Sequence, residues 1–117
     1  MFTYKATVIG IVDGDTVDFN IDLGFETFRK IRVRLYGINT PELHIADQVE
    51  AALAAKKYVE EALPTGKVIY ITTFKDKTEK YGRYLANIYT DEQLTEPSLN
   101  KQLVTQGLAV EYFGGKK

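Results

Sequence analysis

Ile31–Glu42 reads IRVRLYGINTPE, and the rest of the chain is organised around it. Ile31, Val33 and Leu35 alternate with Arg32, Arg34 and Tyr36. That period of two is the pattern of a half-buried strand, with one face in a core and the other carrying two guanidiniums and a phenol. Gly37 loosens the backbone at the end of the strand. Asn39-Thr40-Pro41 is turn chemistry, and Pro41 removes a backbone donor, so strand pairing stops there. Glu42 follows directly. A strand thus delivers arginine to one end of a site, and a stiff turn sets a carboxamide, a hydroxyl and a carboxylate beside it.

Working outward on the N-terminal side, Thr3–Val12 is apolar and β-branched and reads as a strand. Thr16–Asp22 is its return partner, with Val17, Phe19 and Ile21 on one face and Asp18, Asn20 and Asp22 on the other. Asp13-Gly14-Asp15 between them makes a hairpin with an acidic tip. Gly24 marks the next turn, and Thr27–Tyr36 is the third strand.

On the C-terminal side, Leu43–Ala46 is a short connector. Asp47 is placed to cap a helix through about Leu63, with Val49, Ala52, Leu53, Val59 and Leu63 as its apolar stripe. Pro64-Thr65-Gly66 stops it. Lys67–Phe74 reads as a fourth strand, Lys75–Gly82 as a charged loop and Arg83–Tyr89 as a fifth strand. Ser98 caps a second helix to about Gln106, with Leu99, Leu103 and Val104 inward and Gly107 at its end. Leu108–Phe113 is a last extended piece, and 113–117 reads as a flexible tail.

The order β-β-β-α-β-β-α in a chain of 117 residues is that of a small five-stranded Greek-key barrel of the OB type, a β-barrel with helices that is α+β by content. Closure removes the sheet edges that an open α+β sheet would leave. The whole of 1–117 is read as one domain. There are no cysteines, which excludes disulfides and thiolate metal sites. No apolar run is long enough to span a membrane, and the first residues read as a strand, so a cytoplasmic location is expected, with a secreted mature form as the other reading. The net charge of −1 argues against broad electrostatic binding of nucleic acid but leaves room for a local basic site.

Three polar clusters stand at strand ends. Asp13 and Asp15, two residues apart at a tight turn, suit a hard divalent cation, although Asp and Gly are also common in plain hairpin turns. Arg34 to Glu42 is the second cluster, in which Arg32 reads as an ion-paired surface residue. Lys80-Tyr81-Gly82-Arg83 is the third, and taken alone it reads as a charged hairpin loop.

Asp-Gly-Asp-Thr, then Arg-x-x-x-x-Asn-Thr-Pro-Glu, then Lys-Tyr-Gly-Arg, in this order and each at a strand boundary, resembles the staphylococcal nuclease family. The resemblance runs from Val8 to about Tyr112 and includes Gln106-Gly107-Leu108-Ala109. It implies the OB-type barrel of that family and metal-dependent hydrolysis of DNA or RNA phosphodiesters, with calcium the usual ion; single-stranded DNA or RNA is the expected partner, since tyrosine faces can stack on unpaired bases. It implies Asp15 as the main metal ligand, Asn39 in the place of a second, the backbone carbonyl of Thr40 as a third, and Asp13 behind them. It implies Glu42 as general base, Arg34 and Arg83 as the phosphate-binding arginines, and Lys80, Tyr81 and Tyr112 as substrate contacts. Asn39 is neutral where some members carry aspartate, which implies weaker calcium binding or use of another hard divalent ion. His44, the only histidine, reads as a loop residue beside the site.

These residue types suit the chemistry. The transition state of phosphodiester hydrolysis gathers charge on its equatorial oxygens, which arginine forks match in a bidentate way. A divalent ion neutralises the same charge, and one carboxylate must take a proton from the attacking water. The expected protein is a monomeric nuclease that acts away from membranes. A nuclease-like module that binds nucleic acid without cutting it is the alternative, and an OB module for protein contacts would leave the three clusters without a purpose.

Overall fold

The computed structural model describes residues 2–78 and 83–112, and gives side-chain surroundings outside 74–78. Five strands close into a barrel. They are β1 (Phe2–Asp13), β2 (Thr16–Asp22), β3 (Phe28–Leu35), β5 (Val68–Thr78) and β6 (Tyr84–Tyr89). The order around the barrel is β1-β2-β3-β6-β5, and only β3–β6 is parallel. β1 is long enough to serve both sides of the closure. Its first part, from Phe2 to Thr7, pairs with β5, and Ala6 to Asp13 pairs with β2. Irregularities in the β1–β2 register between Val8 and Gly10, and between Ile11 and Asp13, let it bend from one sheet direction to the other.

The alternation seen in the sequence sets the core. Val17, Phe19 and Ile21 of β2, Val33 and Leu35 of β3, Ile69 and Ile71 of β5, and Ala86 and Ile88 of β6 all point inward and are buried. Helix α1 (Val49–Ala62) covers one end of this core through Ala52, Ala55 and Val59, with Leu63 just beyond. Helix α2 (Leu99–Thr105) adds Leu99 and Leu103. Ser98 caps α2 by accepting the Lys101 N–H at 3.2 Å. Gly107, with φ of +74°, closes its C-terminus. No helix among the described residues is long and apolar enough to cross a membrane.

Four local expectations are corrected. Asp47 does not cap α1. A 3-10 turn over Ala46–Gln48 precedes the helix, Gln48 is the capping residue, and no side chain closes the cap. The Gln48 carboxamide instead accepts the Glu42 N–H at 3.0 Å. Leu53 is 51% exposed and Val49 lies on the helix margin, so the buried stripe is the small one, Ala52, Ala55 and Val59. The reason is close approach: a Cβ built on Gly14 would lie 2.9 Å from the Ala55 Cβ. A leucine in that position would hold α1 away from the β1–β2 turn. β5 runs on to Thr78, past the expected end at Phe74. Finally, Asn39 belongs to a short strand, β4 (Ile38–Asn39), which pairs with β7 (Val110–Glu111). The proposed tail, 113–117, lies outside the described residues.

Candidate active site

Asp13–Thr16, Arg34 and Arg83 meet at one mouth of the barrel, where β2 begins, β3 ends and β4 starts. The β1–β2 turn is built on its own side chains. The Asp15 N–H donates to Asp13 Oδ1 at 3.0 Å, and the Thr16 hydroxyl lies 3.1 Å from Asp15 Oδ1. Thr16 is paired in register with Arg34 across β2–β3, which brings the Arg34 side chain over the turn.

Arg34 is the hub. Its Nη2 lies 3.6 Å from Asp15 Oδ2 and donates to the Ile38 carbonyl at 2.9 Å and to the Asn39 carboxamide oxygen. Its Nη1 donates to the Leu35 carbonyl at 3.3 Å. The pair is well covered, with 11% of the Arg34 and 13% of the Asp15 side chain exposed, so its attraction is little screened by water. The Arg34 guanidinium carbon sits 5.8 Å from the centroid of the Tyr112 ring. The β4–β7 pairing brings Tyr112 there, and its N–H donates to the Gly37 carbonyl at 2.8 Å. Gly37 turns the chain with φ of +79°, a conformation glycine adopts at low cost.

Arg83 arrives from the opposite side, just ahead of β6. Its Nη1 donates to the Thr16 hydroxyl at 3.0 Å. Thr16 therefore joins the two arginines. It accepts from Arg83 and faces Asp15, which in turn faces Arg34. The sequence marked Asp-Gly-Asp-Thr but gave Thr16 no task. The signal that could have found it is its position, one residue past Asp15 and cross-strand from Arg34.

Electrostatics separate the two carboxylates. Burial pushes the Asp13 carboxyl up to about 6, and the hydrogen bond and negative charge of Asp15 push the same way. Burial also acts to raise Asp15. It is outweighed by the hydrogen bond with Asp13, the charge of Arg34 and the Thr40 N–H, which hold Asp15 below the usual carboxylate range. The Thr40 N–H lies 3.4 Å from Asp15 Oδ2. Asp15 thus holds its charge more firmly than Asp13.

The remaining expected residues are spread differently. Arg32 forms a surface pair with Asp18, at 2.8 Å. Glu42 sits on the rim with 52% of its side chain exposed, and its carboxylate lies 3.7 Å from His44 Nε2. No hydrogen bond or ion pair among the described residues ties Glu42 to Arg34 or Asp15. Lys80 and Tyr81 lie outside the described residues.

Asn100 was missed by sequence reasoning altogether. It is buried in α2 and satisfies three backbone groups. Its oxygen accepts the Ile88 N–H at 3.1 Å, and its nitrogen donates to the carbonyls of Tyr36 at 2.8 Å and Ala86 at 3.0 Å. It locks β6 and the turn after Arg34 to α2. A polar residue beside Leu99 on the inward side of a helix was the available signal.

Asp15 Oδ2 and Asn39 Oδ1 both face the Arg34 Nη2, so the guanidinium takes up these two oxygens in this structure. Among the described residues no cluster of three or more His, Cys, Asp or Glu side chains gathers. The donor types at this turn, one carboxylate, one carboxamide and backbone carbonyls, are all oxygen, the chemistry a hard divalent ion takes.

The family described as staphylococcal nuclease homologue matches residues 32–117, which takes in Arg34, the Asn39–Glu42 turn and Arg83. The chain belongs to that family. It is 30% identical over 129 residues to an uncharacterized protein of Methanocaldococcus jannaschii, covering 94% of this chain and 60% of that protein. It is 30% identical over 120 residues to Protein ParB of Escherichia coli, covering 96% of this chain and 60% of the relative. The chain thus spans about 60% of the length of both curated relatives. Membership in the family and the closed barrel agree with a nuclease-like, nucleic-acid-binding domain.

Proposed function

We propose that this barrel hydrolyses phosphodiester bonds of DNA or RNA with the help of a hard divalent cation. One observation carries the proposal: Asp15 and Thr16, adjacent in the chain, each hold one of the two arginines, so two guanidiniums converge on one acidic turn.

In this reading Arg34 and Arg83 grip the non-bridging oxygens of one phosphate and stabilise the charge that grows there in the transition state. Arg34 exchanges part of its contact with Asp15 and Asn39 for the phosphate. Thr16 keeps Arg83 aimed while it does so. Asp15, the carboxamide of Asn39 and the Thr40 carbonyl hold the cation, with calcium the expected ion. That ion supplies neutralisation of the phosphate and a polarised water. Glu42 takes the proton of the attacking water. Its support is chemical: it is an exposed carboxylate two residues beyond Thr40, with the His44 ring 3.7 Å away. Tyr112, stacked near Arg34, offers a ring face to a base of an unpaired strand. Lys80 and Tyr81 are proposed as further substrate contacts.

The experiment is cleavage of heat-denatured DNA and of RNA by the purified chain, with calcium and with excess chelator. Cleavage restricted to the calcium arm supports the reading. Binding of either polymer without cleavage under any divalent ion would instead establish the non-hydrolytic module. Glu42→Gln is expected to lower turnover by about 10²-fold or more, and undiminished turnover removes Glu42 from proton transfer.

A further inference from the structure

The other mouth of the barrel carries a second site. Strand β2 leads from Thr16 at the acidic turn to Asp22 at the β2–β3 turn, which puts the two mouths roughly 20 Å apart. At the far mouth the described residues leave part of the barrel interior open. A half-open cavity of about 150 Å³ remains, with Ile21, Val33 and Ile71 as its floor. These three are buried core residues, so the cavity is the open end of the core itself. Small barrels that leave their interior unfilled at one end hold small ligands there.

Two polar groups break the apolar lining. Thr73 follows Ile71 by two residues on β5, so it shares the inward face. It is 4% exposed, and its hydroxyl, like that of Thr72 beside it, has no hydrogen-bond partner among the described residues. A buried hydroxyl left without a partner costs about 1–3 kcal/mol, so its persistence needs a reason. Arg29 stands at the lip in the inward register of Ile31 and Val33, beside Tyr84. No salt bridge or hydrogen bond is made by its guanidinium among the described residues. A cation thus stands at the rim of an apolar chamber, with the buried Thr73 in its wall.

We propose that this mouth binds a small monocarboxylate with a flat or branched apolar body. The chamber is the size that accommodates a benzene ring. A carboxylate matches the planar fork of one guanidinium, whereas a phosphate dianion would call for more donors than one arginine and one hydroxyl supply. The apolar body fills the floor, and the carboxylate takes Arg29 at the lip with the Thr73 hydroxyl on its flank. This site is separate from the acidic turn and does not depend on the chain cutting nucleic acid.

The test is a titration of the purified chain with benzoate, followed by methyl chemical shifts of Ile21, Val33 and Ile71 and by thermal melting. Benzyl alcohol, of similar size but neutral, runs in parallel. Saturable shifts at these three methyl sites, a rise in melting temperature with benzoate, and weaker binding of benzyl alcohol are expected. Arg29→Gln should weaken benzoate by about tenfold and leave benzyl alcohol unchanged. Thr73→Val, which keeps the shape and removes the hydroxyl, should weaken benzoate by a smaller factor. The proposal is overturned by absent shifts at millimolar benzoate, by equal binding of acid and alcohol, or by an unchanged Arg29→Gln. The acid–alcohol comparison on the unmodified chain decides the matter even if a variant fails to fold.

Discussion

Gly14→Ala is a demanding test of how the site is assembled, because Gly14 lies between Asp13 and Asp15 and touches the helix. A Cβ there would lie 2.9 Å from the Ala55 Cβ, 3.1 Å from the Thr40 Cγ2 and 3.2 Å from the Thr40 Cβ. The first contact is closer than real Cβ atoms come, and both partners are held. Ala55 is fully buried on α1, and the Thr40 N–H reaches Asp15. Either α1 backs away from the barrel or the turn shifts. Overpacking of this kind costs about 1–3 kcal/mol. For a domain of this size that lowers the melting temperature by about 4–12 °C. Gly10→Ala is the control, since a Cβ there meets nothing within 4 Å. The stronger form is a double-mutant cycle with Ala55→Gly. That change alone costs about 1 kcal/mol through helix propensity, plus the loss of a buried methyl. The pair should be less destabilised than the sum by about 0.5–3 kcal/mol, because the Cβ–Cβ clash is gone. Activity should fall with Gly14→Ala by more than the stability loss explains, since the shift moves Thr40 against Asp15. Additive effects, or a Gly14→Ala chain that melts with the parent, would refute the claim that α1 and the acidic turn are pressed together.

Asn100→Ala should cost about 2–4 kcal/mol by denaturant unfolding, because it strands the Ile88 N–H and two carbonyls away from water; a loss under about 1 kcal/mol, close to the extrapolation error, would mean water or another group replaces it. Phe25→Asn should raise stability by about 0.5–1 kcal/mol, since Phe25 is fully exposed and sits at φ of +55°, a conformation asparagine tolerates better. A lower melting temperature in that variant would show that the ring has a packing role. Thr16→Val should keep the fold while weakening cleavage, through lost aim of Arg83. Unchanged turnover in Thr16→Val would separate Thr16 from the arginine pair.

Much of this architecture is legible in the chain. The alternation of Val17, Phe19 and Ile21, and of Ile31, Val33 and Leu35, gives the inward faces that the barrel uses. Ser98 and Gly107 mark the ends of α2 because their chemistry acts within a few residues. What was not legible depends on contacts between distant segments. Leu53 has the spacing of a core residue, but the approach of α1 to Gly14 admits only alanine at the contact and leaves Leu53 outside. The β4–β7 pair joins Asn39 to Val110, and neither two-residue piece carries a pattern of its own. Asn100 reads as an ordinary polar helix residue until the carbonyls of Tyr36 and Ala86 are seen beside it. Arg34, Asp15, Asn39 and Arg83 were each named from the sequence. Their common meeting point at Asp15 and Thr16 comes from the β2–β3 register and the entry of β6.

The most direct measurement is single-turnover cleavage of an unpaired oligonucleotide in calcium by the parent chain and by Arg83→Lys. The lysine keeps the positive charge and removes the fork. If two guanidiniums clasp one phosphate, Arg83→Lys loses about 10²-fold or more in the cleavage step while still binding the strand. Cleavage by Arg83→Lys at the parent rate would contradict the account.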